Sequence, residues 1–199
     1  KKAFLRAFAY FGALSCGGMF FFYGNNVEFG ILMAVFASIG YSGSLVFYDA
    51  FLPEIATPDR FDQLSAKGYS LGYIGSVILL ILNLLVIENP TWFGLEDGTL
   101  PSRLAFLSVA IWWIGFASYA LKRLPTNPYR KKGSDHLILK GYQELKFVYR
   151  EIKQLSQMKQ FVLGFFFYNA GVQAVMYLAS LFGAKELQME TGELILTVL

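Results

Sequence analysis

The sequence predicts an all-α membrane protein, a multi-span helical bundle, and three observations carry that expectation. The 199 residues are 55% hydrophobic, 18% aromatic and only 16% charged, which is more apolar and less charged than an ordinary soluble domain. The charges are segregated into short segments between long apolar runs. Leu71 to Ile87 carries apolar side chains on every face, whereas a helix on a soluble core repeats its apolar residues every three or four positions.

The chain is organised around the stretch from Tyr48 to Ile87. A polar segment, Asp49 to Lys67, contains Pro53, Pro58 and Asp59-Arg60 and reads as a loop. It runs straight into about twenty residues without a charge, the length that crosses a bilayer core. Gly68, Gly72, Gly75 and Ser76 recur at spacings of four and three and so share one helix face. Small residues there let another backbone approach, which is how helices associate in lipid.

The remaining spans follow in order. Lys1, Lys2 and Arg6 lead into the apolar run Ala3 to Tyr23. A signal peptide has the same basic-then-apolar order, but here the run continues past Cys16 through Met19 to Tyr23, so a spanning helix is expected. Gly24-Asn25-Asn26 suits a tight turn. Val27 to about Phe47 is the second span, with Ala37, Ser38, Gly40, Ser42, Gly43 and Ser44 gathered in its second half. Glu88 to Ser102 is a polar loop with Trp92 placed as an interfacial aromatic, and Arg103 to Leu121 is the fourth span. Between Lys122 and about Gln157, Ile138, Tyr142, Leu145, Tyr149, Ile152 and Leu155 recur every three or four residues. Lys140, Lys146, Arg150 and Lys153 take the other faces, a pattern suited to a helix lying on a membrane surface or one covering another soluble domain. The fifth span is expected over about 160–182, and a sixth begins after a short acidic loop. Both ends read as cut, so the chain is expected to be part of a longer protein.

With the amino end inside, fifteen of the seventeen Lys and Arg residues fall in inward segments and only Arg103 and Lys185 outside. This positive-inside bias puts the amino end and the long basic segment in the cytoplasm. The net charge of +3 comes with no basic stripe on a polar surface, so nucleic acid is not an expected partner. His136 stands alone in a basic loop, and no ligand cluster for a metal appears; no cofactor is expected. The GxxxxGK[ST] phosphate loop does not occur.

Four spans, a long basic segment with an amphipathic helix, and then further spans is the layout of the middle of a major facilitator superfamily transporter. Tyr48-Asp49-Ala50-Phe51-Leu52-Pro53-Glu54-Ile55, Gly68-Tyr69-Ser70-Leu71-Gly72-Tyr73 and Tyr168-Asn169-Ala170-Gly171-Val172-Gln173 resemble one branch of it, the vacuolar amino-acid-effluxer-like, autophagy-related permeases and their bacterial members. The resemblance implies a partial major facilitator fold, covering about the third to eighth of twelve spans. It assigns 1–121 to the last four spans of the amino-terminal half, 122–157 to the cytoplasmic central loop, and 158–199 to the start of the carboxy-terminal half. A bacterial inner membrane is the implied location. The branch implies an acidic residue after the asparagine of the last block in many relatives, and Ala170 stands there instead.

The function implied is secondary transport of a small solute, with amino acids as the suggested class, by alternating access; proton coupling is one option. The alternatives are a structural or assembly subunit without transport and a membrane-embedded enzyme. No nucleophile with base and no carboxylate cluster in the spans supports the last, so no catalytic residue is expected. Asn169 and Gln173 lie four apart near mid-span. Amides in hydrocarbon cost several kcal/mol unless satisfied, so they face a cavity or another helix; they contact substrate or form an interhelical bond. Tyr168, Tyr177, Trp112 and Trp113 are candidates to line the same cavity. Asp49, which adjoins an apolar run without a basic neighbour, is a candidate gate with Arg60 or Lys67, or a solvated helix end. Gly68, Gly72, Gly75 and Ser76 are expected to pack the third span of this chain against the eighth span of the fold. The expected partners are the lipid bilayer, the solute and the remaining spans of the same protein.

Overall fold

The computed structural model describes residues 1–24, 26–95, 98–125 and 137–198. They divide into two compact units, one within 1–125 and one over 137–198. Among the described residues every regular element is a helix, and five helical segments are long and apolar enough to cross a membrane: Lys2–Phe21, Val27–Asp49, Pro58–Glu88, Leu100–Arg123 and Ser156–Lys185.

The first unit holds α1 (Lys2–Gly18), α2 (Val27–Asp49), the short α3 (Leu52–Ile55), α4 (Phe61–Glu88) and α5 (Leu100–Arg123). α1 tightens into a 3-10 turn, Met19–Phe21, and the chain then reverses through Gly24 at φ +68, a left-handed conformation that glycine adopts without cost. α5 opens with Pro101 in its first turn, where the missing N–H is no loss. It finishes at Leu124 in extended conformation before Pro125. Lys122 and Arg123 in its last turn complement the negative end of the helix dipole.

α1 is the centre of this unit and packs on both α2 and α5. Its buried positions are mostly small, with Ala9, Gly12, Ala13 and Ser15 among them. A side chain at Gly12 would begin 2.6 Å from Trp113 Cη2 and 3.1 Å from Gly40 Cα, and one at Gly40 would run into Gly12 itself. The backbones of α1 and α2 therefore meet at this pair, with the Trp113 indole closing the third side. Near the first residues of α1, Leu5, Phe51 and Leu121 form a small apolar core with Tyr10, Phe47 and Leu124 against it. The tie between α4 and α5 is polar: Ser108 Oγ donates to Asn83 Oδ1 at 2.8 Å. The amide oxygen of Asn83, near the end of α4, is thereby satisfied, which supports a structural role.

The polar segment from Asp49 to Lys67 is more regular than a loop. It folds as α3, a 3-10 turn over Pro58–Arg60, and then the first turns of α4, so the helix expected from Gly68 begins at Phe61. The reason is that polarity reports depth in the membrane, not conformation. Gln63, Leu64, Ala66 and Lys67 are good helix formers, and no proline or glycine follows Pro58 until Gly68.

The second unit consists of α6 (Leu137–Gln154), α7 (Ser156–Lys185) and α8 (Thr191–Val198). α6 lies within 122–157; Lys146, Tyr149, Arg150 and Lys153 are exposed and Ile152 is half-buried. The side chains of Ile138, Lys140, Tyr142 and Leu145, and all of His136, lie outside the described residues. Leu155, in extended conformation, separates α6 from α7. Gly183 near the end of α7 lets Leu194 of α8 approach, since a side chain there would begin 2.7 Å from Leu194 Cδ2.

Candidate functional site

α7 is 30 residues long, about 45 Å at ~1.5 Å per residue, which exceeds a hydrocarbon core of ~30 Å. Asn169 and Gln173 straddle its midpoint. Both lie near the middle of this candidate span. Spaced by four they share a face, and Tyr177, four further on, extends it. All three are exposed, and neither amide is hydrogen-bonded among the described residues. Each primary amide offers two donors and an acceptor with two lone pairs. Such a face can hold a carboxylate, an ammonium group or another amide with equal ease. Tyr168, beside Asn169, is also exposed and turned about 100° from that face.

Trp112 stands in the first unit. It lies against Phe116, ring centroids 4.9 Å apart, and lines a cavity of about 640 Å³ between α4 and α5 with Leu79, Leu82, Ile111 and Tyr119. The hydroxyl in that wall, Ser108, is already committed to Asn83. The space around Trp112 is thus apolar. Trp113 points elsewhere, edge-on to Tyr41 at 6.3 Å and against Gly12, so it packs the helix junction.

Asp49 ends α2 and lines a second cavity, of about 610 Å³, together with Tyr48, Ser44, Ser65, Gly68 and Arg123. Among the described residues it makes no ion pair; Arg60 is paired with Asp59 at 3.6 Å, and both side chains are about three-quarters exposed. Arg123, the basic residue that shares this cavity with Asp49, also lies over the Tyr119 ring at 5.4 Å.

The small-residue face of α4 is unevenly occupied. A side chain at Gly68 would begin 2.9 Å from the Tyr48 hydroxyl and one at Gly75 4.0 Å from Trp112 Nε1, while one at Gly72 meets nothing. Ser76 Oγ returns its hydrogen to the carbonyl of Tyr73 at 2.8 Å. In this unit, then, Gly68 admits Tyr48, and Gly72 stands open.

Two structural contacts escape a reading of the sequence. Gly12 and Gly40 form the tightest helix crossing described above; Gly40 belongs to the small-residue cluster of the second span, but nothing in the sequence pairs it with Gly12. Arg103, a solitary basic residue at the start of α5, donates from Nε to the carbonyl of Phe20 at 2.7 Å. Its guanidinium lies 4.7 Å from the Phe20 ring and 5.3 Å from the Tyr23 ring. It thereby caps the end of α1 and clamps α5 to it. A charge-assisted bond contributes ~1.5–3 kcal/mol and each cation–π contact ~0.5–1. Arg103→Gln is expected to lower the unfolding temperature of the detergent-solubilised protein, by an amount corresponding to roughly 2 kcal/mol. An unchanged melting curve would show that the clamp is dispensable.

Comparison with known proteins matches the whole chain, residues 1–199, to the family described as vacuole effluxer Atg22 like. An uncharacterized MFS-type transporter, YxiO, of Bacillus subtilis is 30% identical over 190 residues, covering 92% of this chain and 43% of that protein. Autophagy-related protein 22-1 of Aspergillus terreus is 30% identical over 165 residues, covering 75% of this chain and 26% of that protein. Autophagy-related protein 22-2 of Aspergillus oryzae is 30% identical over 155 residues, covering 70% and 25%. The chain spans less than half the length of these relatives. No solved structure matches it. Five membrane-crossing helical segments and a family match over the full sequence agree: the chain is a multi-pass membrane protein of the vacuole effluxer Atg22-like family, among the major facilitator-type transporters.

Proposed function

We propose that the protein carrying this sequence is a secondary transporter that moves a small solute by alternating access, with amino acids as the substrate class. The family match over residues 1–199 supports this most. The amide face at the middle of α7 adds a recognition chemistry suited to the α-carboxylate and α-ammonium groups of an amino acid. Asn169 and Gln173 hold the polar end of the solute, with Tyr168 beside them. Within the first unit, Trp112 is a further candidate for apolar contact with a solute. No residue acts as a catalyst, and proton coupling would have to lie outside Ala170.

In this reading residues 1–121 supply spans of the amino-terminal half, 122–157 the central loop, and 158–199 the start of the other half. The amino end and the central loop face the cytoplasm, and the inner membrane of a bacterium is the location. Gly68, Gly72, Gly75 and Ser76 present the face on which another span slides. Asp49 gates the inward opening by making and breaking an ion pair with a basic residue, Arg60 or Lys67; Arg123 shares its cavity. Asp49→Asn is expected to slow exchange severalfold while leaving expression intact; unaltered exchange removes the gate.

The test is counterflow in proteoliposomes containing the full-length protein: a panel of labelled amino acids and other small metabolites, with and without a proton gradient. Saturable, trans-stimulated exchange of at least one amino acid is expected. Exchange restricted to other solutes rejects the substrate class, and no exchange of any solute favours an assembly subunit.

A further inference from the structure

The elbow between α3 and α4 encloses a recess of about 560 Å³ lined by Thr57, Arg60, Gln63 and Lys67 on one side and by Glu54 and Ile55 on the other. Thr57 is extended, Arg60 closes the 3-10 turn and Gln63 and Lys67 lie one turn apart on α4, and all four line the recess, so four residues with hydrogen-bond donors border a single space. Two are cations. The side chains of Thr57, Gln63 and Lys67 have no hydrogen bond or ion pair among the described residues. Arg60 has only the solvent-exposed Asp59 at 3.6 Å, an arrangement of little strength.

The carboxylate in the wall does not oppose these cations. Glu54 Oε1 is engaged by Lys1 Nζ at 2.8 Å, and the same ammonium donates to the Ala50 carbonyl. With Lys1 on Glu54 and Asp59 beside Arg60, Lys67 is the cation of this lining that has no ion pair among the described residues. The recess also sits at a defined level, because Lys67 is the last charged residue before the charge-free part of α4. That places the donors at the polar boundary of the span and the apolar Ile55 and Leu64 next to them.

We propose that this recess binds a phosphate group, held by the Arg60 guanidinium and the Lys67 ammonium with Thr57 and Gln63 completing the hydrogen bonds. A tetrahedral oxyanion takes several charge-assisted donors at once. The volume accommodates a glycerophosphate headgroup as readily as free phosphate, and Ile55 and Leu64 offer apolar contact to the former.

The experiment uses the full-length protein in a neutral detergent. Its unfolding temperature is followed against short-chain phosphatidylglycerol and, separately, inorganic phosphate, for the wild type, Arg60→Gln/Lys67→Gln and the charge-conserving Arg60→Lys/Lys67→Arg. The wild type is expected to show a saturable upward shift, the Gln variant to need at least tenfold more ligand, and the charge-conserving variant to retain most of the response. Equal starting temperatures for all three verify that the exposed substitutions leave the fold intact. A response to phosphatidylglycerol alone assigns the site to a lipid headgroup, and a response to inorganic phosphate alone or to both assigns it to the phosphate itself. A wild type that responds to neither ligand, or a Gln variant that responds like the wild type, overturns the proposal.

Discussion

Gly40→Leu is expected to abolish accumulation of the folded protein. The Gly40 position lies against the Gly12 backbone, and the Phe8 carbonyl is 3.0 Å from where its side chain would start. Backbone cannot rotate away as a side-chain tip can, so α1 and α2 must separate. Separation releases Trp113 from Gly12 and loosens the contact of α1 with α5. The cost exceeds the ~1–3 kcal/mol of ordinary overpacking, because a whole helix crossing is lost rather than a rotamer strained. Size-exclusion profiles of a fluorescent fusion would report it directly: a monodisperse peak for Gly40→Ala reduced, and for Gly40→Leu absent. A normal peak for Gly40→Leu would mean that the α1–α2 crossing does not hold the unit together. Gly72→Leu is the informative contrast, since nothing in the first unit meets a side chain there. That variant is expected to fold, and to lose transport if the face slides on another span.

The second large effect is expected from Asn169→Ala/Gln173→Ala. Removing a hydrogen-bonding partner from a desolvated site costs ~1–3 kcal/mol, so losing two amides should weaken exchange by well over tenfold. Folding should survive, because neither amide holds another residue of its unit. Counterflow normalised to the amount of reconstituted protein separates the two possibilities. Full exchange in the double variant would return both amides to a purely structural role.

How far the sequence spoke depended on what kind of information each feature carries. Spans were legible because lipid demands apolar side chains on every face and charge at the ends; the runs of 27–47 and 103–121 lie within the observed helices α2 and α5. The elbow at 49–67 was misread as a loop because charge marks the membrane boundary while helix propensity, here favourable from Phe61 onward, decides conformation. The amides of α7 stood out since polar groups are rare in such a helix. The Gly12–Gly40 crossing did not, because a close approach depends on where two distant helices cross, and single glycines do not encode that. Arg103 is equally opaque: the sequence places it only at the outer start of a span, and its partner, a backbone carbonyl at the end of α1, leaves no trace in side-chain identity.

Alternating access at the α7 amide face is the central claim, and two-sided thiol accessibility tests it most directly. Gln173→Cys, in full-length protein whose other cysteines including Cys16 are serine, would be reconstituted and treated with a membrane-impermeant maleimide from either face in turn. The account predicts labelling from both faces and protection by whichever amino acid shows counterflow. Labelling from neither face, or from one face regardless of solute, would contradict it.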